Sequence, residues 1–253
     1  MTDSSPRDFL RGVWRALLLS GIVLAADVHF LLTPGSDLRT RSRRRAIWSR
    51  RALGALGIPL TITGTPPTQG VIVGNHLSYI DIITYGAALD GVFISKIEVR
   101  SWPLIGLLTR LAGSIYIDRG KRTSLAPANA AAAAALQQGI PVTFFPEGTT
   151  SDGNTLLRFH PSLFQPAIET AASIWPAALI YRINGRSDGV ADLICWVGEQ
   201  TLAPHMLRFL SLRNVTAEIR FAAEPIHATT RTEAAEKSHT VVAQLLGLPP
   251  ATD

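Results

Sequence analysis

Short apolar runs alternate with longer amphipathic stretches along most of this chain. Runs rich in Val, Ile and Phe predict buried strands at Val71–Val73, Val92–Ser95, Ser114–Ile117, Val142–Phe145, Ile174–Tyr181, Ala191–Val197 and Val215–Ala222. Between them lie predicted helices at residues 79–89, 101–112, 125–138, 161–173 and 231–246. This alternation predicts an α/β fold with a mixed, partly parallel sheet covered by helices. The late strands lack clear intervening helices, so we expect the mixed pairing on their side of the sheet.

The N-terminal part of the chain has a different pattern. An apolar run at residues 16–33 is about long enough to span a membrane, although Asp27 and His29 interrupt it. A single span, a re-entrant hairpin and an interfacial helix are all consistent with this run. A cleavable signal peptide, cut near Ala25-Ala26, is the rival interpretation, but acidic residues in the leading segment argue against it.

Positive charge is concentrated in the same part of the chain. Residues 1–51 contain ten arginines and four aspartates, a net charge of +6, whereas the whole chain carries +5. A basic patch suits nucleic acid or an anionic membrane, and the neighbouring apolar run favours the membrane. We therefore expect the arginines between 39 and 51 to contact anionic head groups, with a solvated linker as the alternative. Residues 1–51 would form an anchor, and residues 52–253 a catalytic domain that folds without it.

Composition supports a membrane-facing surface in a reducing compartment. Hydrophobic residues make up 47% of the chain and charged residues 17%, below the usual quarter or so for a soluble domain. Cys195 is the sole cysteine, which excludes an intramolecular disulfide and a multi-cysteine metal site.

The first polar segment at a predicted strand end contains Asn75, His76 and Asp81. If His76 lies in the loop before a helix, Asp81 falls in the first turns and can reach back to its ring. A carboxylate on Nδ1 would fix the tautomer and leave Nε2 as a base. The alternative is a helix-capping aspartate beside a structural histidine. Since no serine or cysteine stands in a nucleophile elbow, the base would act directly on a substrate hydroxyl.

Two further polar segments follow later strands. Arg119, after Ser114–Ile117, could hold a phosphate or carboxylate in bidentate fashion, although a solvated turn explains it equally well. Glu147 and Gly148 directly follow the strand that ends at Phe145. In open α/β sheets, such strand ends carry the chemistry, so we expect these loops to lie together.

These segments together resemble a known family, the glycerolipid acyltransferases of the 1-acyl-sn-glycerol-3-phosphate type. The resemblance covers about residues 70–182 and rests on four motifs in the family's order: Asn75-His76-x4-Asp81, Gly113-x-x-Tyr-Ile-x-Arg119, Phe145-Pro-Glu147-Gly-Thr149, and Ile174-Trp-Pro176-Ala-Ala-Leu179.

The resemblance implies a membrane-associated O-acyltransferase of lipid metabolism. His76 would deprotonate the acceptor hydroxyl of a lyso-lipid, which attacks the thioester of acyl-ACP or acyl-CoA, and Asp81 would orient His76. The implied substrate-binding residues are Asn75, Arg119, Glu147, Gly148 and Thr149. No cofactor, metal or nucleic acid is expected. The implied partners are membrane lipids and an acyl carrier protein or CoA thioester, at the cytoplasmic face of the cell membrane.

Departures from the family pattern bear on the acceptor. Many lysophosphatidate acyltransferases carry Arg where this chain has Thr150, and Lys where it has His160. The stretch Glu147–Asn154, with Lys96-Ile-Glu98 and Trp102–Gly106, looks closer to the lyso-ornithine lipid branch. Lysophosphatidic acid and lyso-ornithine lipid both stay open as acceptors. A lipid hydrolase using the same His–Asp pair and a catalytically silent membrane-binding protein are the alternatives.

Overall fold

The computed structural model describes residues 5–118 and 120–248. In these ranges the strands are β1 (Leu60–Thr63), β2 (Val71–Gly74), β3 (Val92–Lys96), β4 (Ile115–Ile117), β5 (Val142–Phe144), β6 (Ile174–Ile183) and β7 (Val215–Phe221). The α-helices are α1 (Pro6–Leu32), α2 (Leu38–Leu56), α3 (Ile80–Ala88), α4 (Ile105–Leu111), α5 (Leu125–Gln137), α6 (Gln165–Glu169), α7 (Val190–Leu193), α8 (Leu202–Ser211) and α9 (Arg231–Leu246). Short 3-10 turns lie at Ile97–Ser101, Arg122–Ser124 and Pro161–Phe164.

One mixed sheet of seven strands organises the molecule, in the order β1-β7-β6-β2-β5-β3-β4. Strands β6, β2, β5, β3 and β4 are parallel to one another. Strand β7 runs antiparallel to β6, and β1 pairs in parallel with β7 at the edge of the sheet. The predicted α/β class is thereby confirmed, as is the predicted mixed pairing among the late strands. Because parallel strands end at the same edge, the loops after β2, β3, β4 and β5 all emerge there.

Successive side chains of the strands point to opposite faces of the sheet and pack into two hydrophobic cores, one on each face. Ile72 points into a core shared with α2, α3 and α8, while Val71 and Val73 point into a core shared with α5 and α9. Burial on both faces explains why the parallel strands are continuous apolar runs in the sequence.

The prediction of a strand at Ala191–Val197 is wrong. Residues Val190–Leu193 form the short helix α7, and the chain then continues without regular structure. Ile194 and Cys195 are fully buried in the first core, so this apolar run reflects burial rather than β structure. Helix α8 was not predicted from the sequence. Its Pro204 lies in the first turn, where proline is tolerated.

Helix α1 packs lengthwise on the body and keeps one apolar face exposed. It is long and apolar enough to cross a membrane, since 18 consecutive residues of it have a mean hydropathy of 1.8. Its inner face meets α8 at Gly12, where a Cβ would lie 2.3 Å from the Ser211 hydroxyl. The outer face exposes large apolar side chains at helical spacing: Leu10, Trp14, Leu17, Leu24, Val28 and Leu31.

The arginines of α1 and α2 cap the C-terminal ends of other helices. Arg11 and Arg15 donate to carbonyls at the end of α8, and Arg41 donates to carbonyls at the end of α4. Arg39 and Arg44 do the same beyond α5 and α1. The last carbonyls of a helix lack intrahelical partners and carry partial negative charge, so a guanidinium satisfies both needs.

Arg45 and Arg50 cap α3 in the same way. Arg45 is buried, donates to Leu89 O at 2.8 Å and Gly91 O at 3.2 Å, and lies over the Phe93 ring. Arg50 donates to Ala87 O at 2.8 Å.

This capping corrects two expectations for residues 1–51. Five of the seven arginines between 39 and 51 bond to carbonyls or hydroxyls of the protein, so this segment is a packed helix rather than a solvated linker. Arg43 and Arg51 are exposed, and lipid contact by them stays a prediction. Helix α2 also runs across the predicted boundary at residues 51 and 52 and packs on α3. Removing residues 1–51 would therefore remove the capping arginines and the part of α2 that packs on the catalytic body.

Arg45→Met should destabilise the fold by about 2 kcal/mol, because the carbonyls beyond α3 lose a charged donor. Urea unfolding in detergent, followed by tryptophan fluorescence, measures this change. The matched control is Arg43→Met, since Arg43 is exposed on the same helix. Equal unfolding midpoints for the two variants would contradict the capping role.

Candidate active site

The site lies where β2 and β5 end, side by side in the sheet. Residues 75–79 after β2 form the His76 loop, and residues 146–151 after β5 form the Glu147 loop. The Ser151 N–H donates to His76 O at 2.8 Å, so the loops are joined directly through their backbones.

His76 and Asp81 form a close pair. His76 lies in the loop before α3, and Asp81 lies in the first turn of that helix. The distance from His76 Nδ1 to Asp81 Oδ2 is 2.8 Å, and the Asp81 side chain is fully buried. An ionised carboxylate can only accept, so Nδ1 carries the proton and Nε2 is left with a lone pair.

Asp81 is held from several sides. Its Oδ2 also accepts from the backbone N–H groups of Leu77 at 2.6 Å and Ser78 at 2.9 Å. Its Oδ1 accepts from the Tyr181 hydroxyl at 3.0 Å. Burial and the neighbouring Asp81 charge raise the pKa of Tyr181 well above its ordinary value, so Tyr181 stays a donor.

The His76 ring stacks on Phe145, the last apolar residue before the Glu147 loop. The ring centroids are 4.2 Å apart and the planes are tilted by 7°. One face of the imidazole is thereby covered, while 16% of the side chain stays exposed. Stacking and the Asp81 bond together fix the ring orientation, so Nε2 points in one defined direction.

Glu147 ties the two loops together through its carboxylate. Oε1 accepts from the His76 N–H at 2.6 Å, and Oε2 accepts from the Leu157 N–H at 3.0 Å. The side chain is 2% exposed, and burial raises its pKa to about 7, against the lowering effect of these bonds. Both oxygens are engaged with backbone, so the carboxylate acts as an anchor of the His76 loop.

The other predicted binding residues are placed differently. Asn75 is buried and bonds the backbone of Leu179 in both directions, extending the pairing between β2 and β6. Gly148 has φ of 74°, which permits the sharp turn after Glu147, and Thr149 is exposed at the edge of the site. Arg119 lies outside the described residues.

The structure adds residues that sequence reasoning missed. Tyr181 lies inside an apolar strand and gave no signal. Trp196 packs edge-on against Tyr79, with ring centroids 5.9 Å apart, and its N–H donates to Leu77 O at 2.8 Å. His205 is buried behind Tyr79. In the described part of the chain, no group of three His, Cys, Asp or Glu side chains could hold a metal ion.

Comparisons with known proteins show the family to which this chain is related. The Acyltransferase family model matches residues 61–180, which include both loops and the His76–Asp81 pair. A lyso-ornithine lipid O-acyltransferase of Pseudomonas aeruginosa is 36% identical over 213 residues, covering 83% of this chain and 81% of that protein.

The chain belongs to the acyltransferase family. A 1-acyl-sn-glycerol-3-phosphate acyltransferase of Neisseria meningitidis is 39% identical over 203 residues, covering 76% of this chain and 78% of that protein. The fold is shared with the crystal structure of the 1-acyl-sn-glycerophosphate acyltransferase PlsC from Thermotoga maritima. That likeness has a TM-score of 0.66 at 20% identity and covers 95% of this chain and 93% of that one. The resemblance inferred from the four motifs is confirmed, and the protein is an acyltransferase.

Glu147 should make folding stability depend on pH. Its pKa is about 7 in the folded protein and 4.5 ordinarily, so between these values the folded state keeps a proton that the unfolded chain releases. The free energy of unfolding should therefore fall as pH rises through this range, by about 1.4 kcal/mol per unit, and level off above it. Urea unfolding of wild type and Glu147→Gln, between about pH 5 and pH 8, isolates this contribution as a difference.

The matched control for this experiment is Glu169→Gln, because Glu169 is an exposed carboxylate. Its stability should run parallel to that of wild type. A difference between wild type and Glu147→Gln that does not change with pH would contradict the raised pKa.

Proposed function

We propose that the protein transfers a fatty acyl chain from a thioester to the free hydroxyl of a lyso-lipid. The observation that carries this proposal is the His76–Asp81 pair, with Nδ1 bonded at 2.8 Å and Nε2 bonded by none of the described residues. Such a pair supplies a general base without an enzyme nucleophile. Ser78 is buried, and burial raises the pKa of the Cys195 thiol to about 12, so neither is a plausible attacking group.

The proposed reaction proceeds in two steps. Nε2 of His76 takes the proton of the acceptor hydroxyl while its oxygen forms a bond to the thioester carbonyl carbon. Asp81 stabilises the imidazolium that results. The tetrahedral intermediate then collapses, the carbon–sulfur bond breaks, and the imidazolium returns its proton to the leaving thiolate. The products are the acylated lipid and a free thiol.

Lyso-ornithine lipid is the first candidate acceptor. The relative from Pseudomonas aeruginosa bears the name of that activity. Thr150 stands where many lysophosphatidate acyltransferases carry arginine, and its hydroxyl donates to Trp196 O, so it brings no cation to the site. Lysophosphatidic acid is the second candidate, supported by the relative from Neisseria meningitidis. Acyl-ACP and acyl-CoA are the proposed donors.

Membrane association through α1 belongs to the same proposal. Leu10, Trp14 and Leu17 are 65%, 65% and 64% exposed on its outer face. Exposed side chains of this size in a continuous stripe indicate contact with lipid, where an acceptor with a long acyl chain resides. The cytoplasmic face, where acyl thioesters are made, is the proposed side.

His76→Ala should abolish acyl transfer, and Asp81→Asn should lower kcat by roughly a thousand-fold or more, because the asparagine favours the wrong tautomer of His76. Purified protein in detergent would be offered lyso-ornithine lipid and lysophosphatidic acid separately, each with acyl-CoA and acyl-ACP. We expect turnover of lyso-ornithine lipid in wild type alone.

Each other outcome has its own meaning. Turnover of lysophosphatidic acid alone would support the proposed acyl transfer but show that lysophosphatidic acid, and not lyso-ornithine lipid, is the acceptor. Release of free fatty acid without an acceptor would favour the hydrolase, and wild-type activity in His76→Ala would remove His76 as the base.

Trp14→Ser combined with Leu17→Ser should weaken membrane binding, because it removes two lipid-facing side chains and leaves the inner face of α1 intact. Flotation with liposomes containing anionic lipid measures the bound fraction. Ile62→Ser is the matched control, since Ile62 is a large apolar side chain that is 41% exposed on β1 rather than on α1. Equal flotation of wild type and the double variant would show that α1 does not mediate binding.

A further inference from the structure

The segment that joins α7 to α8, together with the first turn of α8, lies against both catalytic loops and has no part in the mechanism above. We name these residues, 194–205, the brace. Trp196, in its middle, bonds to both loops through its own peptide groups. Its backbone N–H donates to Leu77 O in the His76 loop at 2.8 Å, and its backbone carbonyl accepts from the Thr150 hydroxyl in the Glu147 loop. One residue of the brace therefore bridges the loops that carry His76 and Glu147.

A second bond chain joins the brace to the His76 loop. His205 Nε2 lies 3.1 Å from Cys195 O, which can only accept, so Nε2 carries the proton. Nδ1 is then the acceptor for the Tyr79 hydroxyl at 3.2 Å. Burial lowers the pKa of His205, which keeps the ring in this neutral form. Tyr79 is the last residue of the His76 loop, directly before α3.

Aromatic packing holds Trp196 in place between these bonds. Its ring meets Tyr79 and Trp102 edge-on, at centroid distances of 5.9 Å and 6.3 Å, and its indole N–H donates to Gln200 O at 2.7 Å. Tyr79 in turn meets the ring of His205 at 5.7 Å. The brace is thus a packed, hydrogen-bonded element rather than a free loop.

The brace meets a requirement of the reaction. His76 lies in one loop, and the Glu147 turn beside it lies in the other, so an error in the separation of the loops displaces Nε2 from the acceptor hydroxyl whose proton it takes. Displacements of about 1 Å can cost a hundred-fold in rate. Glu147 and Ser151 join the loops directly, and the brace joins them a second time through Thr150 and Leu77.

We propose that Thr150, Tyr79 and His205 are positioning residues of the acyltransferase. They act through the brace to hold the His76 loop and the Glu147 loop at a fixed separation. The inference rests on the proposed function, in which Nε2 of His76 is the base. It assigns to the Thr150 hydroxyl a role that requires no contact with either substrate.

Thr150→Val tests this role, because valine keeps the shape and removes the donor to Trp196 O. We expect kcat to fall about ten-fold, with the KM of both substrates changed by less than about two-fold. Thr150→Ser keeps the hydroxyl and should retain kcat near wild type. The matched control is Thr170→Val, which removes a similar hydroxyl-to-carbonyl bond to Pro166 O at the opposite edge of the sheet.

Tyr79→Phe removes the hydroxyl bond to His205 and keeps the ring. We expect a smaller loss of kcat, about three-fold to ten-fold, and a double variant with Thr150→Val whose loss is less than the product of the two. Such non-additivity indicates that both hydroxyls act through one element.

Amide hydrogen exchange supplies a readout that needs no activity. Exchange of the His76 and Ser151 amides should speed up in Thr150→Val and stay at the wild-type rate in Thr150→Ser and Thr170→Val. If wild type proves inactive, the proposed function fails while this exchange pattern still decides whether the brace holds the loops.

Three results would overturn the inference. The first is unchanged kcat and exchange in Thr150→Val. The second is equal loss in Thr150→Val and Thr150→Ser, which would assign the effect to side-chain volume. The third is a rise in acceptor KM alone, which would make Thr150 a binding residue.

Discussion

The buried carboxylate of Asp81 is the interaction on which the site depends. It accepts from the His76 ring, from two backbone N–H groups of the His76 loop and from the Tyr181 hydroxyl. A buried carboxylate is costly unless such donors surround it, so the loop, α3 and β6 must all be in place to satisfy it. The geometry of the base is therefore a consequence of the folded sheet rather than of the local sequence.

The N-terminal arginines connect this site to the rest of the molecule. Arg45 and Arg50 cap the end of α3, the helix whose first turn holds Asp81. Arg11 and Arg15 of α1 cap the end of α8, the helix whose first turn belongs to the brace. An exposed apolar outer face and a capping inner face are combined in α1, so the surface proposed to contact lipid and the support of the catalytic body lie on one element. This dual use explains why arginine, with its forked donors, occupies these positions.

Much of the fold followed from pattern. The parallel strands are buried on both faces and appear as continuous apolar runs, so six of the predicted strands are present in the structure. The apolar run at residues 191–197 was wrongly predicted to be a strand, because a buried irregular segment and a buried strand have the same apolar pattern over a few residues. Strand β1 was missed since its four residues, Leu60–Thr63, are mostly exposed at the sheet edge.

By itself the sequence determined the family, the α/β class and the identity of the residues at the strand ends, because motifs and apolar periodicity are local properties. It could not determine what those residues touch. Substrate binding by Glu147 and Asn75 stays a prediction, and the structure adds that their side chains bond the backbone of neighbouring segments. Most arginines of α2 cap helices, which no local pattern indicated, and Trp196, His205 and Tyr181 reach the site from distant parts of the chain. Only tertiary structure decides such contacts, since a hydrogen bond depends on distance and direction in space and not on separation along the chain.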